Sequence, residues 1–193
     1  MKLNNKYNYV SGTRIDDHGS RTYDINGARL PSVTTILGKT KNQQFLKDWP
    51  MAKKIIEEGL LPVEEYYGSE VTLYYPGLYA GSTDLVCNHN GLDTIIDFKQ
   101  ANRPKKVEWI EDYFLQIAAY CMAHDEAYQS QIRQGIIMVC TPDLYYQEFK
   151  FQDADLRAWK HKWLKRLDMY HELKFDEKEK AKVEPKGLLK EFE

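Results

Sequence analysis

The chain is expected to fold as an α/β domain of the α+β kind, a central mixed β-sheet flanked by helices, and three stretches predict this. Gly77 to Gln100 is rich in Val, Ile and Thr on both sides of Asn90-Gly91, the dipeptide favoured in a two-residue type I′ hairpin turn. Glu108 to about His124 places Ile110, Phe114, Ile117, Ala118 and Cys121 at helical spacing, a stripe suited to packing on a sheet. Gln134 to Thr141 is a continuous apolar run closed by Pro142, as expected of a strand covered on both faces.

The hairpin carries the chemistry. With Asn90 and Gly91 as the loop, paired residue numbers sum to 181, so Leu85 faces Ile96 and Asp84 faces Asp97. Side chains alternate along a strand, which puts Asp97 and Lys99 on one face and Ile96 and Phe98 on the other. Asp84, Asp97 and Lys99 therefore converge. Carboxylates on directly opposed residues, roughly 5 Å apart at Cβ, repel each other, and a cation between them relieves the repulsion. Oxygen ligands alone suit Mg²⁺ or Mn²⁺. A lysine beside such an ion can orient a water or stabilise charge developing on phosphorus, so metal-assisted phosphodiester hydrolysis is the reaction class that this pattern favours. The plainer alternative is a surface hairpin with scattered charges, since exposed Asp and Lys are common.

Taken in order, the chain begins with a polar stretch, Met1 to Tyr9, and no run approaches membrane-spanning length, so neither secretion nor membrane insertion is expected. Arg21 to Leu30 holds a second hairpin signal around Asn26-Gly27. Pro31-Ser32 opens a helix that Gly38 stops, and Gln43 to Trp49 is helical until Pro50, after which Met51 to Leu60 resumes. Glu70 to Tyr75 is strand-like. Ala101 to Val107 is a basic loop directly after the acidic strand, placed for phosphate contact. On the following helix Trp109, Tyr113, Gln116 and Tyr120 form a second stripe, three aromatics and an amide along one edge. Such stripes belong more often to a core than to a ligand platform. Tyr145 to Phe151 alternates as a strand. Asp153 is positioned to cap a last helix whose Leu156, Trp159, Trp163, Leu167 and Tyr170 are spaced for burial, while Arg157, Lys160, Lys162, Lys165 and Arg166 line its other faces.

At 193 residues the chain suits one domain, residues 1–175, followed by a charged tail, residues 176–193, expected to be mobile. The net charge of −2 announces no general affinity for nucleic acid, so any such partner must be met by local patches. Cys87, Cys121 and Cys140 fall singly in apolar runs without C-x-x-C spacing, which predicts reduced core thiols in a cytoplasmic compartment, that of the host if the chain is encoded by a phage. No internal repeat, glycine-rich phosphate loop or Ser/His/Asp arrangement stands out.

Tyr79-Ala-Gly-Ser-Thr-Asp84, then Asp97-Phe-Lys99, then a helix with Gln116-Ile-Ala-Ala-Tyr120 and finally Trp159 to Tyr170 resemble the PD-(D/E)xK nuclease superfamily. The likeness is nearest to its RecB-like exonuclease branch, with members in mitochondria and phages, and it covers roughly residues 20 to 175. The resemblance implies a restriction-endonuclease-like nuclease core and a Mg²⁺- or Mn²⁺-dependent DNA exonuclease. Its substrate would be single-stranded or processed DNA ends in phage or organelle DNA metabolism, with replication or recombination proteins as further partners. It implies Asp84 and Asp97 as metal ligands, the Phe98 carbonyl as another, and Lys99 beside the attacking water. Gln116 and Tyr120 would steady the site or the DNA strand.

Two departures stand out. Gln100 occupies a position where the family usually has Thr or Ser. The family also carries, before its first catalytic strand, a helix with a Gly-small-x-x-His motif, whereas no histidine occurs here between His18 and His89, and Trp49-Pro50 resembles a deletion junction. The alternative function is therefore a DNA-binding module with impaired or absent catalysis.

Overall fold

The computed structural model describes Lys6, residues 22–23 and 29–30, and residues 49–183, the last eight by their backbone alone. Two short strands, β1 (Thr22–Tyr23) and β2 (Arg29–Leu30), pair antiparallel. The bend between them and the helices expected over 31–38 and 43–48 lie outside the described residues. From residue 49 the order is α1 (Trp49–Gly59), β3 (Val63–Tyr75), β4 (Tyr79–His89), β5 (Leu92–Gln100), a 3-10 turn (Val107–Trp109), α2 (Glu111–Tyr128), β6 (Gln134–Cys140), β7 (Tyr146–Gln152) and α3 (Asp153–Val183).

Strands β3 to β7 form one five-stranded sheet in sequence order. All neighbours are antiparallel except β5 and β6, which run parallel and are joined across α2. The expected mixed sheet with flanking helices is the observed fold. Strand β6 is buried at all seven positions, as its unbroken apolar run requires when it lies beside a parallel partner with helices over both faces. No helix among the described residues is long and apolar enough to cross a membrane.

The two faces of the sheet have different cores. On one, Val86, Ile95, Ile137 and Val139 pack against α2 and α3, with Trp163 fully buried edge-on to Tyr79. On the other, Leu85, Ile96, Ile136 and Met138 pack against Met51 and Ile55 of α1. Cys87, Cys121 and Cys140 are free thiols inside these layers. The predicted burial of Leu156, Trp163 and Leu167 on α3 is observed, with Trp159 and Tyr170 half-buried at its edges.

Four expectations are adjusted. Helix α2 starts at Glu111 rather than Glu108, because Ile110 (φ −122°, ψ 23°) leaves helical geometry and the three preceding residues form a separate 3-10 turn. Strand β3 is longer than the stretch from Glu70, beginning at Val63 and running over irregular pairings between Val63 and Glu65 and between Tyr66 and Gly68. Asp153 heads α3, and its carboxylate takes hydrogen bonds from the Arg133 guanidinium. Helix α3 also continues to Val183, so the first part of the charged stretch is helical.

Gly135, the second residue of β6, lies close under α2: a Cβ there would lie 2.5 Å from Ile117 Cγ2 and 2.7 Å from Phe151 Cζ. Neither neighbour is the loose end of a surface side chain. Gly135→Ala is expected to lower stability by about 1–3 kcal/mol, the usual cost of forcing an extra methyl into a filled core, as measured by urea denaturation.

Candidate active site

The turn that sets the register is the one expected. Asn90 and Gly91 both have positive φ, 51° and 78°, and the pairs Leu85–Ile96 through His89–Leu92 keep the register that places Asp84 across from Asp97. The regular ladder stops at Leu85–Ile96. Beyond it the Asp84 carboxylate replaces a backbone acceptor, taking the Phe98 N–H at 2.6 Å. This bond fixes the side chain of Asp84 at the place where β4 and β5 part.

Asp97 lies on the same face and is 2 % exposed. The Lys99 ammonium pairs with its Oδ2. That oxygen accepts no hydrogen bond of good geometry, so the contact is best described as charge against charge. On the other side, Gln116 Nε2 from α2 reaches Asp97 Oδ1 at 3.4 Å and also donates to the Tyr120 hydroxyl at 2.9 Å. Lys99 Nζ sits 5.3 Å from the centre of the Tyr113 ring. Asp84, Asp97, Lys99, Gln116 and Tyr120 are thus gathered in one place, with Tyr113 beside Lys99, while Trp109, the first residue of the second stripe, lies outside α2 and is exposed.

The electrostatics are those of a site short of positive charge. Burial, and then the neighbouring Asp97, push the Asp84 carboxyl up to about 7, against the pull of the Phe98 N–H and Lys99. Burial works against the Lys99 ammonium, yet Asp97 and, behind it, Asp84 outweigh this and hold its pKa above the ordinary lysine value. Burial raises the Tyr120 hydroxyl too, with Asp97 adding to it, so Tyr120 is a neutral hydrogen-bonding group and not a base.

Glu70 joins this neighbourhood although no motif in the sequence singles it out. The pairs Ser69–Leu85 and Val71–Thr83 put it opposite Asp84 on the other side of β4, and its φ is 51° in mid-strand. Its charge adds to the upward pressure on Asp84. The signal that would have found it is Pro76-Gly77, the tight turn that sets the β3–β4 register as Asn90-Gly91 sets the next one.

Among the described residues no group of three or more His, Cys, Asp or Glu side chains is arranged to hold a metal. Two carboxylates whose mutual repulsion raises a pKa still match a hard divalent ion, because Mg²⁺ is commonly held by one or two carboxylates and keeps several waters. The donor set therefore fits Mg²⁺ or Mn²⁺, with Asp84, Asp97 and the Phe98 carbonyl as the groups available to hold it.

The raised pKa of Asp84 has a consequence for the metal-free protein. The folded state holds the Asp84 proton more tightly than the unfolded chain, so between pH 3.8 and about 7 this group makes stability fall as pH rises. Buried His89 and His124, whose pKa values are lowered by desolvation, act in the opposite sense in part of that range. The stabilisation from Lys99 is fully present below pH 10.5 and adds no slope here. The comparison with Asp84→Asn isolates the effect. The variant is expected to be as stable as the parent near pH 4 and more stable at pH 8 in EDTA, by thermal melting at both values.

No family model matches the chain. In sequence it is 39% identical to mitochondrial genome maintenance exonuclease 1 of Xenopus tropicalis over 109 residues, 53% of this chain and 30% of that protein. It is 37% identical to the human protein of the same name over 101 residues, 50% of this chain and 29% of that one. The chain thus spans less than a third of the length of the relatives it matches. Among solved structures, an alkaline exonuclease from Laribacter hongkongensis superposes with a TM-score of 0.40 at 15% identity, covering 77% of this chain and 80% of that one. The same exonuclease in complex with dAMP gives a TM-score of 0.39 at 16% identity, with the same coverage. Over about half of its length this chain is thus similar in sequence to proteins named mitochondrial genome maintenance exonuclease 1.

Proposed function

We propose that this chain is a Mg²⁺- or Mn²⁺-dependent deoxyribonuclease that hydrolyses phosphodiester bonds at single-stranded or processed DNA ends. The observation that carries the reading is the gathering of Asp84, Asp97 and Lys99 on one sheet face beneath Gln116 and Tyr120. The exonuclease names of the sequence relatives support the same reaction class.

In this reading Asp84, Asp97 and the Phe98 carbonyl would hold the ion, which would supply Lewis acidity. The chain supplies the rest. Phe98 N–H holds the Asp84 carboxylate, and Gln116 holds Asp97, so neither side chain has to be ordered when substrate arrives. Hydrolysis adds the water oxygen to phosphorus, breaks the bond to the leaving oxygen and returns a proton to it. Lys99, protonated and half-shielded, orients the water or balances the charge that grows on the phosphoryl oxygens. Tyr120 acts through Gln116 as a positioning residue.

A second reading, a DNA-binding module without turnover, is favoured by one observation: the described residues offer two acidic ligands and no histidine with them. Incubation with labelled single-stranded and duplex DNA in Mg²⁺, Mn²⁺ or EDTA separates the two. Metal-dependent shortening from an end is the expected result, faster with Mn²⁺ because Mg²⁺ demands a nearly ideal octahedral ligand set. Binding without shortening in either ion selects the module.

Variants test the roles. Asp84→Asn is expected to abolish cleavage and also the thermal stabilisation by Mn²⁺, which binds only the folded state. Lys99→Ala should abolish cleavage while sparing that stabilisation, since lysine ligates nothing. It should also lower metal-free stability, because Asp97 loses its counter-charge. Gln116→Ala should cut cleavage with far less loss of melting temperature than Phe114→Ala. Asp84→Asn with intact cleavage and metal response would remove the paired-carboxylate site from this reading.

A further inference from the structure

The 3-10 turn between β5 and α2 exposes a large aromatic ring beside two cations. Trp109 is 55% exposed. The Arg103 guanidinium lies 5.5 Å and the Lys106 ammonium 5.3 Å from the centre of its ring. Both side chains are exposed, and among the described residues neither Arg103 nor Lys106 has a carboxylate partner. A single exposed tryptophan needs no explanation in itself. Three further facts distinguish this one.

First, the segment is held. Gln147 on β7 accepts from the Lys105 N–H at 2.6 Å and donates to the Lys105 carbonyl at 3.0 Å, while Trp109 N–H bonds back to the Lys106 carbonyl. The backbone beneath the ring is tied down although its side chains face solvent. Second, the turn that carries the ring leads directly into the helix of the candidate site, where Tyr113 lies against Lys99 and Gln116 reaches Asp97. Third, the charge is local. The whole chain carries −2, yet Lys99, Arg103, Lys105 and Lys106 fall within eight residues of sequence. A nearby groove of about 440 Å³ beyond Val107 is lined by Glu148 and Asp155 as well as Lys150 and Lys162, which makes it a poorer seat for phosphates.

We propose that Trp109 is a stacking platform for a nucleobase of single-stranded DNA, with Arg103 and Lys106 taking the adjoining phosphates, and that this platform gives the protein its preference for single strands. The choice of DNA rests on the nuclease reading above. The chemistry follows from the ring: Arg103 and Lys106 stand over the indole, a flat base takes their place on its face while they move to the phosphates on either side, and that base face is available only when the strand is unpaired. A duplex presents phosphates alone, so it can use Arg103 and Lys106 but not Trp109.

The test is equilibrium binding in EDTA, where nothing is cleaved, with a fluorescent oligothymidylate, an abasic oligomer of the same length and a duplex. Trp109→Ala is expected to weaken the oligothymidylate about tenfold or more, in the range that loss of one stacked base produces. Binding of the abasic oligomer and the duplex should stay as in the parent, and Trp109→Phe should keep most of the affinity. Arg103→Ala with Lys106→Ala should weaken all three probes and flatten the salt dependence. Unchanged oligothymidylate binding by Trp109→Ala, an equal loss on all three probes, or no binding by the parent would overturn the proposal. The two readings fail separately. A parent that shows the Trp109 effect but never cleaves with any divalent ion loses the nuclease function and keeps the platform. A parent that cleaves while Trp109→Ala binds normally keeps the function and loses the platform.

Discussion

The type I′ turn at Asn90-Gly91 is the constraint on which the candidate site depends. Because side chains alternate with a period of two, a slip of one residue between β4 and β5 would send Asp97 and Lys99 to the α1 side and bring Ile96 and Phe98 beneath α2. The turn prevents this by accepting only residues tolerant of positive φ, and Asn88 Oδ1 adds a hydrogen bond from the Gly91 N–H. The parallel partner β6 then repeats the same register on the far side of β5, pairing Asp97 with Ile137 and Lys99 with Val139. On that side Asp97 and Lys99 meet apolar neighbours. Such neighbours help keep the site half-dry and raise the strength of every charge interaction in it.

Much of this was legible in the sequence, for reasons that differ by element. The β4–β5 register follows from arithmetic once the turn is recognised, and the burial of β6 follows from an apolar run too short for a helix and closed by proline. The stripe of Ile110, Phe114, Ile117, Ala118 and Cys121 states which side of α2 meets the sheet, and all five are buried. What the pattern could not convey was where helical geometry begins. Val107 to Trp109 continues the helical spacing, and only the backbone angles of Ile110 separate the 3-10 turn from α2. General burial statistics suit part of the second stripe: Tyr120 joins the core and Tyr113 packs against it, while Trp109, before the start of α2, is exposed. Opposed numbering likewise says nothing of the hydrogen bond from Phe98 N–H to Asp84, since a side chain takes over there from the ladder.

The candidate site combines rigid parts with unbalanced charge. Asp84 and Asp97 are each tied by a hydrogen bond from a different element, a strand backbone in one case and a helix amide in the other. The ties fix geometry without neutralising the pair, and the Lys99 ammonium serves mainly Asp97. Such a site trades stability in the metal-free state for readiness, the usual arrangement where charge must be met by an incoming ion rather than by the fold.

The single parallel pairing in the sheet has a kinetic meaning. Strands β3, β4 and β5 are joined by tight turns, and β6 and β7 are likewise neighbours in sequence, but β5 and β6 pair only across the long connection through α2, a contact of greater sequence separation and so slower to form. Asp84, Asp97 and Lys99 belong to the first unit, whereas Gln116 and Tyr120 ride on the crossover itself. The helix that covers and aligns the acidic strands is therefore the same element that joins β5 to its parallel neighbour β6. Assembly of the centre is thus bound to closure of the sheet, and a chain stalled before that closure would hold both carboxylates without the helix that orders them.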